Sequence, residues 1–316
     1  MKLSVALCTY NGEHYVRELL ESILNQTIRV DEIVVCDDGS SDHTLEIVES
    51  IGNTLVPSFH IYRNEDRKGF KNNFFQAIDL CQGELVFLAD QDDVWHPNKV
   101  ETMVRWFESH PEEKVLFTNA SLIDETGTAI AGDLWQRFGF DKKKQRFFNH
   151  GFGLDIWMWS NRATGATMAV RKDFVKTDTW KDFLDGYHDS IIALQGILSH
   201  SIGCLSEQLM DYRLHGDQAC GAEDLPYQLQ YSPLKPCSKE LLSSGFQGDD
   251  LHGLPVNEQR HVAFVLERST FKYRRFGWGS ITHIRSYVRF YRLWAYKFFF
   301  YDWFLSMRHS VKHLFG

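Results

Sequence analysis

Asp90-Gln91-Asp92-Asp93 puts three carboxylates within four residues, directly after the apolar run 85–89. A buried strand would deliver them into one turn, where desolvation and mutual repulsion are costly unless a cation binds. Mg2+ or Mn2+, hard ions that take oxygen ligands, suit such a turn when a diphosphate completes the coordination. An acidic loop that only caps the following helix fits the same residues. A second acidic turn, Asp37-Asp38-Gly39-Ser40-Ser41-Asp42, follows the run 32–36. Its glycine permits a tight turn, and its oxygens can accept from a base edge or a ribose hydroxyl. Capping of a helix from Thr44 by Ser41 or Asp42 explains it as well. Thr9-Tyr10-Asn11-Gly12 stands in the same relation to a third apolar run, 4–8.

These turns need a scaffold that brings them together. Through about residue 120, short apolar runs at 4–8, 32–36, 59–63, 85–89 and 115–119 alternate with amphipathic stretches at 15–25, 44–51, 70–81 and 98–109. That alternation predicts an α/β fold, a mostly parallel sheet flanked by helices. In such a sheet ligands sit beyond the carboxyl ends of the strands, which is where all three turns fall. From 157 to 215 the pattern is mixed, strand-like at 165–170, helix-like at 190–198 and strand-like at 208–213, and reads as the acceptor half of one domain spanning 1–215. Residues 216–259 read as a loop or linker rich in Pro, Gly, Ser and Asp.

Residues 260–316 read as a C-terminal helical appendage that is aromatic and basic, with Arg285, Arg289 and Arg292 along one helical stripe and Ile284, Val288, Tyr291, Ala295 and Phe298 along another. The apolar stretch 293–307 is interrupted by Lys297 and Asp302 and falls short of the roughly 20 residues a membrane span needs. It suits the membrane surface, where Trp278, Trp294 and Trp303 favour the interface, or packing against the catalytic domain or a second subunit.

With 316 residues and a formal net charge of −8, the chain is large enough for a substantial core and lacks the cationic surplus of a nucleic-acid binder. Six cysteines without a C-x-x-C pair indicate neither a zinc site nor a disulfide framework, and fit a reducing, cytoplasmic compartment. The first apolar run is too short for a signal-peptide core and reads as a strand.

Together the pieces resemble family 2 glycosyltransferases, inverting enzymes with the GT-A nucleotide-sugar-binding fold. The resemblance covers roughly residues 3–220. It rests on Thr9-Tyr10-Asn11, Asp37–Thr44, Asn64 with Gly69 and Asn73, Asp90–Trp95, Thr164-Gly165, His188-Asp189 and Tyr212-Arg213-Leu214-His215. It implies that Thr9, Asn11, Glu13 and Asp38 hold the nucleoside. Asp90 and Asp92 form the D-x-D motif that meets the ribose and a Mg2+ or Mn2+ ion, over which His215 closes. Asp189 stands where the family has its catalytic base, with Thr164, Gly165 and His188 on the acceptor side. Many relatives read Glu-Asp where this chain reads His188-Asp189. Without the other motifs, Asp189 would serve equally as a cap of the helix from Ser190. Arg213 and Lys71 are candidate helpers of the leaving diphosphate, or solvated surface charges.

His-Asp followed by an apolar helix and Tyr-Arg-x-His-Gly resembles the rhamnosyltransferase-like branch of surface-polysaccharide assembly, such as O-antigen or capsule. The implied donor is dTDP-rhamnose first and a UDP-hexose second. The implied acceptor is a glycan or polyprenyl-diphosphate-linked glycan at the inner face of the cell membrane. A nucleotidyltransferase would need a Gly-rich, Lys- or Arg-bearing triphosphate loop after the first strand, which this sequence lacks. A binding protein that has lost catalysis is the rival from another class.

Overall fold

The structure is a computed structural model that describes residues 1–55, 58–157, 161–175, 187–216 and 218. The chain begins with β1 (Leu3–Thr9), α1 (Val16–Leu24), β2 (Glu32–Asp37), α2 (Thr44–Leu55), β3 (Phe59–Arg63), α3 (Gly69–Leu80) and β4 (Leu85–Asp90). These elements lie where the apolar periodicity predicts them, because each helix has one apolar face and β1, β2 and β4 are apolar nearly throughout. A two-residue strand, β5 (Val94–Trp95), follows, then α4 (Lys99–Ser109), β6 (Val115–Asp124) and β7 (Ala129–Asp133). Short helices α5 (Leu134–Arg137), α6 (Lys142–Phe147) and α7 (Gly153–Trp157) lead to β8 (Met168–Arg171), α8 (His188–Leu198) and β9 (Ile202–Leu214).

The described strands make one nine-stranded sheet in the order β3-β2-β1-β4-β8-β6-β9-β5, with β7 on the edge of β6. β1 runs parallel to both β2 and β4, with Thr9 opposite Asp37 and Cys8 opposite Asp90. Adjacent strands therefore carry the three polar turns out of the sheet at one edge. β8 enters between β4 and β6 antiparallel to both. Its reversed direction brings what precedes it, the single 3-10 turn Gly165–Thr167, to the edge where β4 ends. The strand expected over 165–170 is thus a turn followed by a strand, since the Gly165 amide donates to Asp189 and the Thr167 amide and hydroxyl to the Thr164 carbonyl instead of joining a ladder.

β9 starts at Ile202, earlier than its apolar pattern near 208 suggests, because it pairs in parallel with β6. Its far end pairs with β5, Trp95 opposite Met210, which brings the segment ending in His215 alongside the acidic turn after β4. Alternate residues of β1 point to opposite layers. Leu3, Val5 and Leu7 pack with Leu19, Leu20, Ile23, Val48, Met103 and Phe107 of α1, α2 and α4. Ala6 and Cys8 pack with Phe74, Ile78, Ile156 and Ile191 of α3, α7 and α8. Each large apolar side chain so buried contributes roughly 1.5–3 kcal/mol.

Cys8, Cys36, Cys81 and Cys204 are free thiols. Cys220 and Cys237 lie outside the described residues, as do the appendage expected over 260–316 and, apart from Gly216 and Gln218, the linker expected over 216–259. No helix among the described residues is long and apolar enough to cross a membrane.

Candidate functional site

The rim contributed by β1 and β2 is a network of side chains that hold backbone. Asp37 is fully buried, and its carboxylate accepts from the Thr9 hydroxyl at 2.9 Å and from the Ser40 amide at 2.9 Å. Asn11 adopts φ +49°, a left-handed conformation that asparagine tolerates better than most side chains. Its amide donates to the Ser40 hydroxyl at 2.9 Å, and its Oδ1 accepts from the Ser41 amide at 2.9 Å. Glu13 accepts from the His43 amide at 2.9 Å while its own amide donates to Asp42 at 3.1 Å. Asp38, expected at the nucleoside, is 4% exposed and its carboxylate accepts from Asn64 Nδ2 at 3.0 Å and the Lys68 and Gly69 amides at 2.7 and 2.9 Å. It therefore holds the 64–69 loop, and Thr9, Asn11, Glu13 and Asp38 together shape one lip of the crevice. Gln91 joins this lip to the acidic turn through a reciprocal pair of hydrogen bonds with the Tyr10 backbone at 2.8 and 3.0 Å.

In the acidic turn the three carboxylates have different surroundings. The Asp92 Oδ2 lies 2.8 Å from His215 Nε2, and the His215 ring packs on Tyr15 with centroids 4.9 Å apart. Asp93 is 1% exposed; its Oδ1 accepts from the Arg213 amide at 3.0 Å and its Oδ2 has no hydrogen-bond partner. Burial, reinforced by the neighbouring carboxylates, holds the acids of Asp90 and Asp93 well above the usual carboxylate range. Asp189 is among the charges that act on Asp90, so the base expected from the resemblance and the D-x-D motif share one electrostatic site.

Asp92 offers a carboxylate oxygen, which suits Mg2+ or Mn2+, and His215 beside it an imidazole, a nitrogen donor that Mn2+ accepts more readily than Mg2+. Among the described residues no group of three or more His, Cys, Asp or Glu could hold a metal ion. The donor set therefore fits a divalent cation shared with a diphosphate, the usual arrangement for ions that keep few protein ligands.

Arg213 does not reach for a leaving group. It is 2% exposed, its guanidinium meets Glu18 at 2.5 Å and donates to the carbonyls of Asp92 at 2.7 Å and Asp124 at 3.3 Å, and it lies over the Tyr15 ring. It clamps the end of β9, the acidic turn and α1 together. Lys99, which sequence reasoning missed, is fully buried at the start of α4, and its Nζ donates to the Ala166 carbonyl at 2.7 Å. Burial depresses its pKa, while Asp93 and Asp90 oppose that fall. The signal was available: with Met103 and Phe107, Lys99 stands on the apolar stripe of α4, where a lysine is out of place.

Asp189, expected as the base, lies in the first turn of α8. Burial pushes its acid up to about 6, while hydrogen bonds from the Gly165 amide at 3.1 Å, the Ser190 amide and Asn161 work in the opposite direction. A carboxylate of that strength is ionised at neutral pH and is a stronger base than an ordinary one. His188 is buried with its ring stacked on Phe74 at 3.9 Å, neither ring nitrogen has a hydrogen-bond partner, and burial lowers its pKa to about 3. It is a neutral imidazole. A side chain at Gly165 would place its Cβ 2.5 Å from His188 Nε2, so the two residues are sterically interlocked. Thr164 supplies the carbonyl that closes the turn, accepting from the Thr167 amide at 2.9 Å. The structure thus gathers Thr9, Asn11, Glu13, Asp38, Asp90, Asp92, Thr164, Gly165, His188, Asp189 and His215 at one edge of the sheet.

This edge, with acidic turns after parallel strands and the half-buried Asp189 carboxylate acting on one of them, has the layout of a nucleotide-sugar transferase. The family model for Glycosyl transferase family 2 matches residues 4–165, and the chain belongs to that family. It is 27% identical over 228 residues to an uncharacterized glycosyltransferase of Haemophilus influenzae, covering 68% of this chain and 66% of that protein. It is 32% identical over 154 residues to chondroitin synthase of Escherichia coli, covering 48% of this chain and 22% of that protein. The chain therefore spans less than two-thirds of the length of these curated relatives. Among solved structures, residues 1–349 of S. aureus TarS in complex with UDP-GlcNAc align with a TM-score of 0.55 at 19% identity, covering 87% of this chain and 74% of that one. The fold is the GT-A fold that the motifs implied.

Proposed function

We propose that this glycosyltransferase moves a sugar from a pyrimidine nucleoside diphosphate to a hydroxyl of a glycan or lipid-linked glycan, with inversion and with Asp189 as the base. The observation that carries this reading is the convergence of the Asp189 turn and the Asp90–Asp93 turn on one sheet edge, close enough for Asp189 to act electrostatically on Asp90. Asp189 takes the proton from the acceptor hydroxyl as that oxygen attacks the anomeric carbon opposite the leaving diphosphate. Asp92 and His215 hold the cation, and a bound Mg2+ or Mn2+ neutralises charge developing on the departing diphosphate. Thr9, Asn11, Glu13, Asp38 and Asp90 line the nucleoside and ribose side, and Thr164, Gly165 and His188 the acceptor side.

The donors to examine first are dTDP-rhamnose and UDP-hexoses. A uridine diphosphate is also the nucleotide bound to TarS in its complexes. The acceptor belongs to cell-surface polysaccharide assembly, a reading supported by the similarity to a chondroitin synthase. The basic and aromatic segment 260–316 would bring the enzyme to the cytoplasmic membrane surface. Calorimetry with dTDP, UDP and their sugars, with Mn2+ and again with chelator, tests the reading. Binding that needs the metal and is lost in Asp92→Ala is expected, with Asp189→Asn keeping binding and losing transfer. Binding of nucleoside triphosphates alone would overturn it.

A further inference from the structure

Lys99 occupies a position that its chemistry does not explain. It is 0% exposed, on the helix stripe that packs the sheet, where an unbalanced ammonium is strongly destabilising. Three elements touch it: the Ala166 carbonyl before β8 at 2.7 Å, the Met210 Sδ of β9 at 3.2 Å, and the Trp95 ring of β5 with its centroid 4.2 Å away. A carbonyl, a thioether and a ring solvate an ammonium but do not neutralise it. Two residues before Trp95, Asp93 has the complementary problem, a buried carboxylate whose Oδ2 has no hydrogen-bond partner. The other buried cation of this region, Arg213, already faces Glu18 at 2.5 Å.

We propose that Lys99 is a positioning residue, the resident cation of the acidic turn, whose charge balances Asp93 in the interior and leaves Asp92 and His215 to face the external cation and diphosphate. On this arrangement the two adjacent carboxylates divide. Asp93 belongs to the scaffold, and Asp92 belongs to the ligand. Through Ala166, Lys99 also holds the turn whose Gly165 amide donates to Asp189 at 3.1 Å, so one ammonium ties the donor turn to the base. The inference rests on the glycosyl-transfer reading only for its ligand, and the test separates the two.

The test is a double-mutant cycle on the full chain, read first by thermal unfolding without metal. Asp93→Asn is expected to lower Tm in the wild-type background, where it strands the ammonium, and to raise it in Lys99→Met, where it removes a stranded carboxylate, each by roughly 3 °C or more. The second readout is the affinity for UDP with Mn2+. Lys99→Met should weaken it by more than about tenfold, and Lys99→Met/Asp93→Asn should recover it to within about threefold, a rescue that a packing role for Lys99 would not produce. If Lys99→Met does not fold, folding of the double variant alone is the expected rescue, and failure of both overturns the proposal. Equal signs of the Asp93→Asn effect in both backgrounds, or no recovery of UDP binding in the double variant, would also overturn it. If the wild type does not bind UDP with Mn2+, the donor reading fails, and the Tm cycle still decides the role of Lys99.

Discussion

At the scale of single residues, Asp189 as the proposed base would set the pH dependence of transfer. Its acid is raised to about 6 chiefly by burial, and the base works only when ionised. The rate should therefore rise with pH up to about 6 and level off above it, falling about tenfold per pH unit on the acid side. His188, with a pKa lowered to about 3, stays neutral across that range and adds no limb of its own. A kcat profile measured with the donor found by the binding panel checks this, and a flat profile between pH 5 and 7 would count against Asp189 as base. Asp38 shows where reading residues by type stops. Its carboxylate after a strand looks ligand-facing in the sequence, and it also accepts from the amides of Lys68 and Gly69, partners about 30 residues further along that the sequence does not announce.

Elements explain which parts of the fold and the candidate site were legible. The strands and helices through α4 follow from apolar periodicity, because each is long enough to repeat its pattern. The short helices α5 to α7 were invisible to such reasoning, since each spans a turn or so; α5 buries Trp135, α7 buries Trp157 and α6 buries none of its residues, so no stripe repeats. The rule that ligands lie after strands found the turns following β1, β2 and β4 and could not have found Gly165, which reaches the site because it precedes an antiparallel strand. That reversal makes Gly165 a sensitive position. In Gly165→Ala the new Cβ would fall 2.5 Å from a His188 ring that is buried and stacked on Phe74, so it has little freedom to move. Overpacking of this kind costs roughly 1–3 kcal/mol. The expected result is a fall in Tm with a loss of transfer of more than about tenfold, while UDP affinity stays near wild type; unchanged turnover would show that the interlock does not matter for the base.

For the whole molecule, the described residues form the catalytic fold, and the membrane proposal rests on the composition of 260–316 alone. Each Lys or Arg near an anionic surface contributes on the order of 1 kcal/mol, enough for several together to hold a protein there. The full chain should sediment with vesicles containing phosphatidylglycerol, and a chain ending before residue 260 should stay in the supernatant while still binding UDP with Mn2+. Sedimentation of the truncated chain would remove the anchor from that segment.

The antiparallel junction of β4 with β8, three registered pairs from Leu85 opposite Arg171 to Phe87 opposite Ala169, has a consequence for how such enzymes diversify. It is a short seam between the strand that carries the acidic turn and the one that follows the Gly165 turn. Chimaeras that exchange residues 1–110 between relatives would have to keep the contacts to the rest of the chain as matched pairs, among them Phe74 with His188, Lys99 with Ala166, Glu18 with Arg213 and Asp92 with His215.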